Sequence, residues 1–436
     1  MGSLVVAGGL LVPMSGAPPF VGDLWIRDGE IAAVGRAPVD AAGERIDASG
    51  CFVLPGLVQG HLHLVQTLFR GEAEELTLLE WLRRRVWPLE AAHDEASLRA
   101  AARSGIAECV AAGVTAVLDM GTTHGHEAVL EELARSGIRG WSGKAMMDLD
   151  PDGDAPRRLR ETTAGSLDES EALARRCRGR IGYAYAPRFA LSATPDLHRE
   201  VARRAREHGR RVHTHAAETR AEVEAVRERT GLTAIRFLET AGLDGAWTLA
   251  HGVHVDAGEI DVLRRGKAGV AHCPTSNLKL GSGIANVPAL RRAGVPVALG
   301  SDGAPCNNRL DPFREMSLAA CLPRRDGDAA ALTARDVLAL ATIDGARAIG
   351  LDRVCGSLEV GKRGDAVVLD PRLPSTQPAR DPYATVVHAA SPENVRDVFC
   401  DGDALKRDFR ATRFDPREVA AHAGEQAERL RERARL

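Results

Sequence analysis

Four apolar segments rich in β-branched residues each end in a residue type that binds metal ions. They span residues 57–63, 211–215, 248–251 and 295–302 and end in His63, His215, His251 and Asp302. Side chains alternate across a strand, so His61 and His63, two residues apart, point to the same face. Imidazole nitrogens on one face can converge on a single divalent cation. The pattern therefore predicts a metalloenzyme.

Between these segments, apolar strand patterns alternate with helical ones, which is typical of βα units around a parallel sheet. The helical patterns lie at 97–112, 127–136, 194–208 and 256–265. About eight such units fit before Gly350, and eight is the number that closes a barrel. We therefore predict the α/β class, with a TIM-like (β/α)8 barrel over residues 55–350. The metal-type residues then lie at strand carboxyl ends, where barrel enzymes perform their chemistry.

Short strands with tight turns mark both ends of the chain. Residues 1–54 carry an Asp28-Gly29 hairpin turn, and a similar texture returns at 356–370 and 395–402. Neither end has enough strands for a stable sheet, so we predict a small discontinuous β-sandwich domain built from residues 1–54 and 351–410. Residues 411–436 are rich in Glu, Arg and Ala in helical order. This C-terminal helix is interpreted as a solvated surface helix, with a dimer contact as the alternative.

Charge and cysteine content exclude several classes of protein. The 57 Lys and Arg and 60 Asp and Glu residues are interspersed, without the basic face that nucleic acid binding requires. The eight cysteines form no CxxC pair, which indicates a reducing compartment. The apolar opening lacks a basic flank, and no run approaches membrane-spanning length. We expect a soluble, cytoplasmic protein without nucleic-acid or membrane partners.

The order of these motifs resembles the amidohydrolase superfamily. The resemblance runs from Pro55-Gly56-Leu57 and His61-Leu62-His63 through His215, His251 and Ser301-Asp302-Gly303 to the stretch GSLEVGKRGDAVVLD at 356–370. It covers nearly the whole chain. Within the superfamily the chain is similar to the mononuclear aminohydrolases, which include guanine deaminases, methylthioadenosine/S-adenosylhomocysteine deaminases and s-triazine hydrolases. No lysine stands at the expected strand end for a bridging carbamate, which fits one metal.

The resemblance also implies a role for each residue of the site. His61, His63, His215 and Asp302 would bind one divalent metal, with zinc as first choice and iron as the alternative. His251 would hold the attacking water beside Asp302, and Glu218 would be the proton shuttle. A bound metal lowers the pKa of water, and a carboxyl group near it can protonate a ring nitrogen. The implied reaction is hydrolytic deamination of an aromatic ring.

Other histidines receive weaker assignments. His213, two residues before His215, stays open as an alternative ligand, although the family pattern places the ligand directly before Ala-Ala-Glu. His272 is interpreted as active-site lining or as a hydrogen-bonded structural histidine. His124 and His126 lie in a predicted loop and receive no role. The histidines in charged helical contexts are predicted to be solvated: His93, His198, His208 and His422.

Four further residues are predicted to contact the substrate. Gln66 offers a donor and an acceptor to a purine-like edge, whereas Arg188 has only donors and suits a ring carbonyl such as guanine O6. The alternatives are a strand-end hydrogen bond for Gln66 and a structural ion pair for Arg188. Glu90 would hold ribose hydroxyls or pair with an arginine. Trp87, in the same motif, completes the set.

The sequence thus predicts a metal-dependent aminohydrolase acting on a small heterocyclic molecule, with guanine or another oxo-purine as the preferred substrate. The alternative within the superfamily is a methylthioadenosine/S-adenosylhomocysteine deaminase or an s-triazine hydrolase. A non-catalytic scaffold protein is the alternative from another class, and retention of every ligand argues against it. The resemblance also implies a homodimer.

Overall fold

The computed structural model describes residues 2–39, 41, 43–150 and 152–436. Its strands are β1 (Ser3–Leu11), β2 (Phe20–Arg27), β3 (Glu30–Gly35), β4 (Glu44–Asp47), β5 (Phe52–Pro55), β6 (Leu57–Leu62), β7 (Val114–Met120), β8 (Arg139–Gly143), β9 (Ala145–Met146), β10 (Ile181–Pro187), β11 (Arg211–Ala216), β12 (Trp247–His251), β13 (Gly269–His272), β14 (Val297–Leu299), β15 (Ala366–Leu369), β16 (Val395–Cys400), β17 (Asp403–Arg407) and β18 (Arg410–Ala411).

The α-helices are α1 (Leu78–Trp81), α2 (Trp87–Ala92), α3 (Glu95–Ala111), α4 (Glu127–Ser136), α5 (Thr163–Ala174), α6 (Pro195–His208), α7 (Arg220–Thr230), α8 (Ala234–Ala241), α9 (Ala257–Gly266), α10 (Pro274–Lys279), α11 (Val287–Arg292), α12 (Ala304–Asn307), α13 (Pro312–Cys321), α14 (Ala334–Leu340), α15 (Ile343–Ala348), α16 (Pro382–Ala384) and α17 (Pro416–Ala434). Short 3₁₀ or π turns lie at Leu64–Phe69, Leu82–Val86, Arg157–Leu159, Leu322–Asp326, Thr385–Ala389 and Pro392–Asn394.

The predicted barrel is confirmed. Strands β6, β7, β8, β10, β11, β12, β13 and β14 follow one another in one parallel sheet. The first and last strands meet at a parallel bridge between Leu62 and Asp302, where the Asp302 amide donates to the His61 carbonyl at 3.1 Å. This nearly closed seam brings residues from the two ends of the barrel sequence together.

Residue types in the barrel strands fit this arrangement. Every residue of β7 and of β12 is buried, as expected for parallel strands that are covered on both faces. At the seam, Gly60 of β6 lies so close to β14 that a Cβ atom would fall 2.3 Å from the Ala298 Cβ. The absence of a side chain at Gly60 therefore lets β6 and β14 approach each other.

A second sheet contains strands from both chain ends, as predicted. Its order is β18-β17-β16-β15-β5-β1-β2-β3, and β4 pairs with β1. The two ends join where β5 pairs antiparallel with β15, with Val53 opposite Val368. The domain boundaries proposed at 54/55, 350/351 and 410/411 stay predictions.

Buried ion pairs connect the barrel to this sheet. Arg139, at the start of β8, donates to both carboxylate oxygens of Asp365 at 2.6 and 2.8 Å, and also contacts Asp401. Arg180 and Arg363 pair with Asp401 as well. Burial alone would destabilise such charges, so each one needs its partners.

The C-terminal segment contains helix α17, and one face of this helix is covered. Leu430 is fully buried and Gln426 is nearly so, while Arg433 donates to the Ala92 carbonyl at 2.9 Å. Leu430 belongs to an apolar cluster that includes Trp81 and Trp87. Within the described ranges, neither α17 nor any other helix combines the length and apolar character needed to cross a membrane.

Candidate metal centre and active site

The four predicted ligands converge at the carboxyl ends of the barrel strands. His61 lies in β6 and His63 directly follows that strand, His215 lies in β11, and Asp302 follows β14. Their ligand atoms all lie within 4.8 Å of one another. The His63 and His215 Nε2 atoms are 3.1 Å apart, and His61 Nε2 lies 3.1 Å from Asp302 Oδ1. Three imidazole nitrogens and one carboxylate form a donor set that suits zinc and other divalent metals.

Backbone carbonyls orient two of these imidazoles. His63 Nδ1 lies 2.8 Å from the Met120 carbonyl, and His215 Nδ1 lies 2.7 Å from the Arg188 carbonyl. Because a carbonyl only accepts, each Nδ1 carries the proton and each Nε2 keeps its lone pair. Those lone pairs face the other ligands, as metal binding requires.

Asp302 is held as an ionised carboxylate. Burial opposes its ionisation, but the neighbouring His61 side chain holds the pKa of Asp302 well below its ordinary value. Ser276 Oγ donates to Oδ2 at 2.6 Å, and the Gly303 amide donates to Oδ1 at 2.8 Å. Hydrogen bonds to the charged form favour it, so the group is suited to bind a cation.

Three residues of the site adopt left-handed backbone conformations. The φ angles are +54° at Ala217, +75° at His251 and +59° at Asp302. Such conformations cost about 1–3 kcal/mol each in residues other than glycine and occur often at functional sites. Glu222 stabilises the first of them, because its carboxylate accepts from the amides of Ala217 and Glu218 at 3.3 and 2.6 Å.

Glu218 and His251 stand beside the metal-binding cluster. Glu218 Oε2 lies 3.5 Å from His251 Nε2, which is 3.9 Å from Asp302 Oδ2. Asn277 Oδ1 accepts from His251 Nδ1 at 2.9 Å and so directs Nε2 toward the two carboxylates. The pKa of Glu218 is raised to about 7, mainly by burial; the charge of His251 opposes this rise and that of Asp302 adds to it. Such a carboxyl group can accept and release a proton near neutral pH.

A small chamber of about 30 Å³ lies above the cluster. Leu78, Trp81 and Leu82 close it from one side, and Arg188, Phe189 and Leu280 from another. Ligand pockets usually measure about 300–1,000 Å³, so this chamber is too small for a purine ring in the conformation described. A groove of about 730 Å³, also bordered by Leu78 and Leu280, lies next to the chamber.

Three of the four predicted substrate residues form one buried network. Arg188 borders the chamber and donates to both oxygens of Glu90 at 2.6 and 3.1 Å. Gln66 Nε2 donates to Glu90 Oε1 at 2.9 Å, while Gln66 Oε1 has no partner among the described residues. Trp87 is buried and, like Gln66 and Glu90, is not among the residues that border the chamber.

Trp81 and Phe189 are two aromatic residues at the chamber that the sequence did not identify as site residues. Trp81 borders the chamber together with Leu78 and Leu82. Leu78 lies three residues before Trp81 and four before Leu82, the spacing that places helical side chains on one face. That spacing is visible in the sequence and was the available signal.

His272, His93 and His198 lie outside the metal-binding cluster, and all three are buried. His272 is buried at the end of β13, and burial lowers its pKa to about 3. His93 and His198 are fully buried, so the prediction that they are solvated is wrong. Each lies in a charged stretch but on the covered side of its segment: His93 Nε2 contacts the Val65 carbonyl at 3.0 Å, and His198 packs edge-on against Phe237.

A histidine and carboxylate cluster at the carboxyl rim of a nearly closed parallel barrel, with a buried proton-transfer group beside it, is typical of metal-dependent hydrolases. Comparison with known proteins agrees with that class. The amidohydrolase family model matches residues 52–405. The chain belongs to the amidohydrolase family, and within it to the hydrolytic deaminases that act on C–N bonds.

Three relatives illustrate the likeness. A 5-methylthioadenosine/S-adenosylhomocysteine deaminase of Halobacterium salinarum is 39% identical and covers 99% of each chain. A 5'-deoxyadenosine deaminase of Methanothermobacter thermautotrophicus is 38% identical and covers 89% of this chain and 90% of its own. An adenosine deaminase of Xanthomonas campestris with bound zinc is 29% identical, with a TM-score of 0.92 and 98% of each chain covered. All three relatives are named as deaminases of adenosine or of a modified adenosine compound.

Proposed function

We propose that the protein deaminates adenine nucleosides that carry a modified 5' position, replacing the ring amino group by oxygen and releasing ammonia. The names of the relatives support this substrate class. The observation that carries the reaction is the position of Glu218, buried and 3.5 Å from His251 beside the ligand cluster. The guanine preference suggested by the sequence becomes the second candidate.

The donor set fits one divalent cation, and we propose zinc. His61, His63, His215 and Asp302 would hold it, since their ligand atoms all lie within 4.8 Å. When bound, such a cation lowers the pKa of water toward neutrality and so makes water an effective nucleophile.

The chain's own residues would transfer the protons. Glu218 accepts a proton from the attacking water and donates it to the ring nitrogen next to the attacked carbon. His251 Nε2 lies between Glu218 and Asp302 and positions the oxygen of the attacking water. The carbon becomes tetrahedral, Glu218 transfers the remaining proton of the water-derived hydroxyl group to the amino nitrogen, and ammonia leaves as the C–N bond breaks. The oxygen of water stays on the ring.

The second candidate is deamination of guanine or another oxo-purine, and Arg188 is the observation that favours it. Its guanidinium group borders the chamber, and a guanidinium group has five N–H donors. Glu90 takes two of them, which leaves three for a ring carbonyl. Because Glu90 neutralises the arginine, this attraction is weaker than that of an unpaired Arg188.

Ammonia release from zinc-loaded protein tests both candidates. The substrates are methylthioadenosine, S-adenosylhomocysteine, 5'-deoxyadenosine, adenosine and guanine. We expect kcat/KM on the 5'-modified adenosines to exceed that on guanine by about 100-fold or more, the discrimination that polar contacts provide. A preference for guanine would support the second candidate, and no ammonia from any of them would overturn the proposed reaction.

An Arg188→His variant, with Arg188→Lys as its control, tests the role of the arginine. If Arg188 donates hydrogen bonds to the ring carbonyl of guanine, the histidine variant loses activity on guanine and gains activity on adenosines. The lysine variant keeps the charge and a donor but lacks the paired N–H donors of the guanidinium group. Its loss of activity on guanine should therefore be smaller. An unchanged ratio of the two activities in Arg188→His would mean that the arginine only pairs with Glu90.

A further inference from the structure

His213 occupies a position directly behind one metal ligand. It lies on β11 two residues before His215 and is fully buried. Its Nε2 atom lies 2.7 Å from His61 Nδ1, and its own Nδ1 atom lies 2.9 Å from the Thr248 carbonyl. His213 is therefore the middle member of a hydrogen-bond chain that runs from the backbone of β12 to the metal-binding cluster.

The hydrogen bond to the Thr248 carbonyl determines which ring nitrogen carries the proton in His213 and, in turn, in His61. The Thr248 carbonyl can only accept, so His213 Nδ1 carries a proton and donates it. A neutral imidazole has one donor and one acceptor, so His213 Nε2 is the acceptor. The hydrogen at His61 then lies on Nδ1, and the lone pair of His61 lies on Nε2, which faces Asp302 Oδ1 at 3.1 Å.

We propose that His213 is a positioning residue that holds His61 in its Nδ1-protonated tautomer and thereby sets how tightly the cluster binds its cation. The proposal rests on the metal site of the proposed function. His63 and His215 receive the same orientation directly from backbone carbonyls, whereas His61 receives it through a second side chain. A substitution at one position, His213, can therefore alter His61 alone.

This geometry also decides the open question of His213 as a ligand. Both of its nitrogens already have partners, Nε2 with His61 and Nδ1 with Thr248. Binding a cation would break one of these hydrogen bonds in a buried site, where lost partners are costly. His213 is accordingly absent from the group of converging ligand atoms.

The strand register of the barrel explains why the hydrogen-bond chain ends at the Thr248 carbonyl. His213 pairs with Thr248 across the β11–β12 ladder. Thr248 is itself fixed, because its Oγ donates to the Ala348 carbonyl at 2.8 Å and accepts from Arg211 Nη2 at 2.9 Å. The carbonyl that orients His213 thus belongs to a well-anchored residue of the barrel.

Two substitutions of His213 test its hydrogen bonds to His61 and to Thr248 separately. In His213→Gln the amide reaches the former Nε2 position and can still accept from His61. In His213→Asn the amide reaches only the former Nδ1 position, so it keeps the bond to Thr248 and leaves His61 without its acceptor. A merely space-filling residue at 213 would show no such difference between the two variants.

Zinc affinity, measured by competition with a chelator, is the first readout. We expect His213→Asn to weaken zinc binding by about 10–100-fold, the usual effect of losing a partner of a metal-bound histidine, and His213→Gln to weaken it much less. His198→Gln, a buried histidine on α6 away from the cluster, is the control for a general loss of stability. Equal effects of Asn and Gln, or no effect of either, would overturn the proposal.

Nitrogen NMR of histidine-labelled wild-type protein is the second readout and needs no variant to fold. In the zinc-loaded protein, His213 and His61 should each carry a single ring proton, on Nδ1. A proton on His61 Nε2, or a doubly protonated His213, would overturn the proposal. Neither readout involves a substrate, so failure of the deaminase assay would leave this inference standing, and the reverse also holds.

Discussion

The orientation of Glu218 depends on the backbone around it. Ala217 holds a left-handed conformation, and Glu222 accepts hydrogen bonds from the amides of Ala217 and Glu218. Ser282 Oγ lies 3.4 Å from Glu218 Oε1. These contacts hold the carboxyl group near His251, close to the cluster but outside it. A change at Glu218 should therefore affect proton transfer without affecting metal binding.

We predict that Glu218→Gln lowers kcat by about 10²–10⁴-fold, the contribution typical of general acid–base groups. The amide keeps the size of the side chain but cannot carry the proton. Zinc content, measured by elemental analysis, should equal that of the wild type. The matched control is Glu224→Gln, at an exposed position of the following helix α7, which should retain full activity. Loss of zinc in Glu218→Gln would contradict the assigned role.

Individual residues could be predicted from the sequence where strand alternation alone decides their direction. His61, His63, His215 and Asp302 meet as predicted, because strand carboxyl ends share one rim. The pairing of Arg188 with Glu90 across 98 residues was open between two interpretations, since one sequence does not reveal which distant charges meet. For the same reason, charged neighbours gave no warning that His93 and His198 are buried.

At the scale of elements, the segment 78–92 and α17 act together. Trp81 and Leu82, which close the chamber, belong to the same apolar cluster as Leu430 of α17. The helix was predictable from composition and periodicity. Its covered face was not, because Gln426 and Leu430 are only two buried positions within a largely charged helix.

We predict that Leu430→Ala lowers the free energy of unfolding by about 2–5 kcal/mol, as expected for a large-to-small change at a fully buried leucine. Urea unfolding followed by circular dichroism measures the change. The matched control is Leu436→Ala, because Leu436 is 38% exposed and its removal should cost less than about 0.5 kcal/mol. Equal losses in the two variants would mean that α17 contributes no specific packing.

At the scale of the whole molecule, the barrel is joined to the sheet built from both chain ends by Arg139, Asp365 and Asp401. We predict that Asp365→Asn lowers the free energy of unfolding by about 3–5 kcal/mol, because Arg139 would keep a buried charge with an incomplete set of partners. Asp196→Asn is the control, since Asp196 pairs with Arg199 at the exposed surface and such pairs contribute about 0–1 kcal/mol. Similar losses in urea unfolding would contradict this difference.

Buried histidines outside the cluster, among them His93, His126 and His198, make stability depend on pH. Burial lowers the pKa of His93 and of His126 to about 3 and that of His198 to about 4. Below about pH 6.5 the unfolded chain binds protons that the folded chain does not. Stability should therefore fall as pH decreases from about 6.5 toward 4, by about 1.4 kcal/mol per pH unit for each histidine.

Urea unfolding at pH 7, 6 and 5 measures this slope. His198→Asn should reduce it by about the share of one histidine, because asparagine can keep the donor to the Thr194 carbonyl and does not titrate. His208→Asn, at the exposed end of the same helix, should leave the slope unchanged. Equal slopes in His198→Asn and the wild type would contradict the assignment.

The barrel and the sheet built from both ends were predictable, because eight strand–helix units and two groups of short strands are visible as patterns. The ion network that connects them was not. Arg139 and Asp365 are 226 residues apart, and nothing local distinguishes them from the many exposed arginines and aspartates of the chain.

The pairing of β5 with β15 also has a consequence for biosynthesis. Val53 leaves the ribosome more than 300 residues before its partner Val368. At the usual elongation rate of about 5–20 residues per second, this delay lasts roughly a quarter of a minute to a minute. During that time one edge of β5 lacks its neighbour, and an unpaired apolar edge invites aggregation. Chaperone demand for the nascent chain should accordingly fall only once the last strands have been translated.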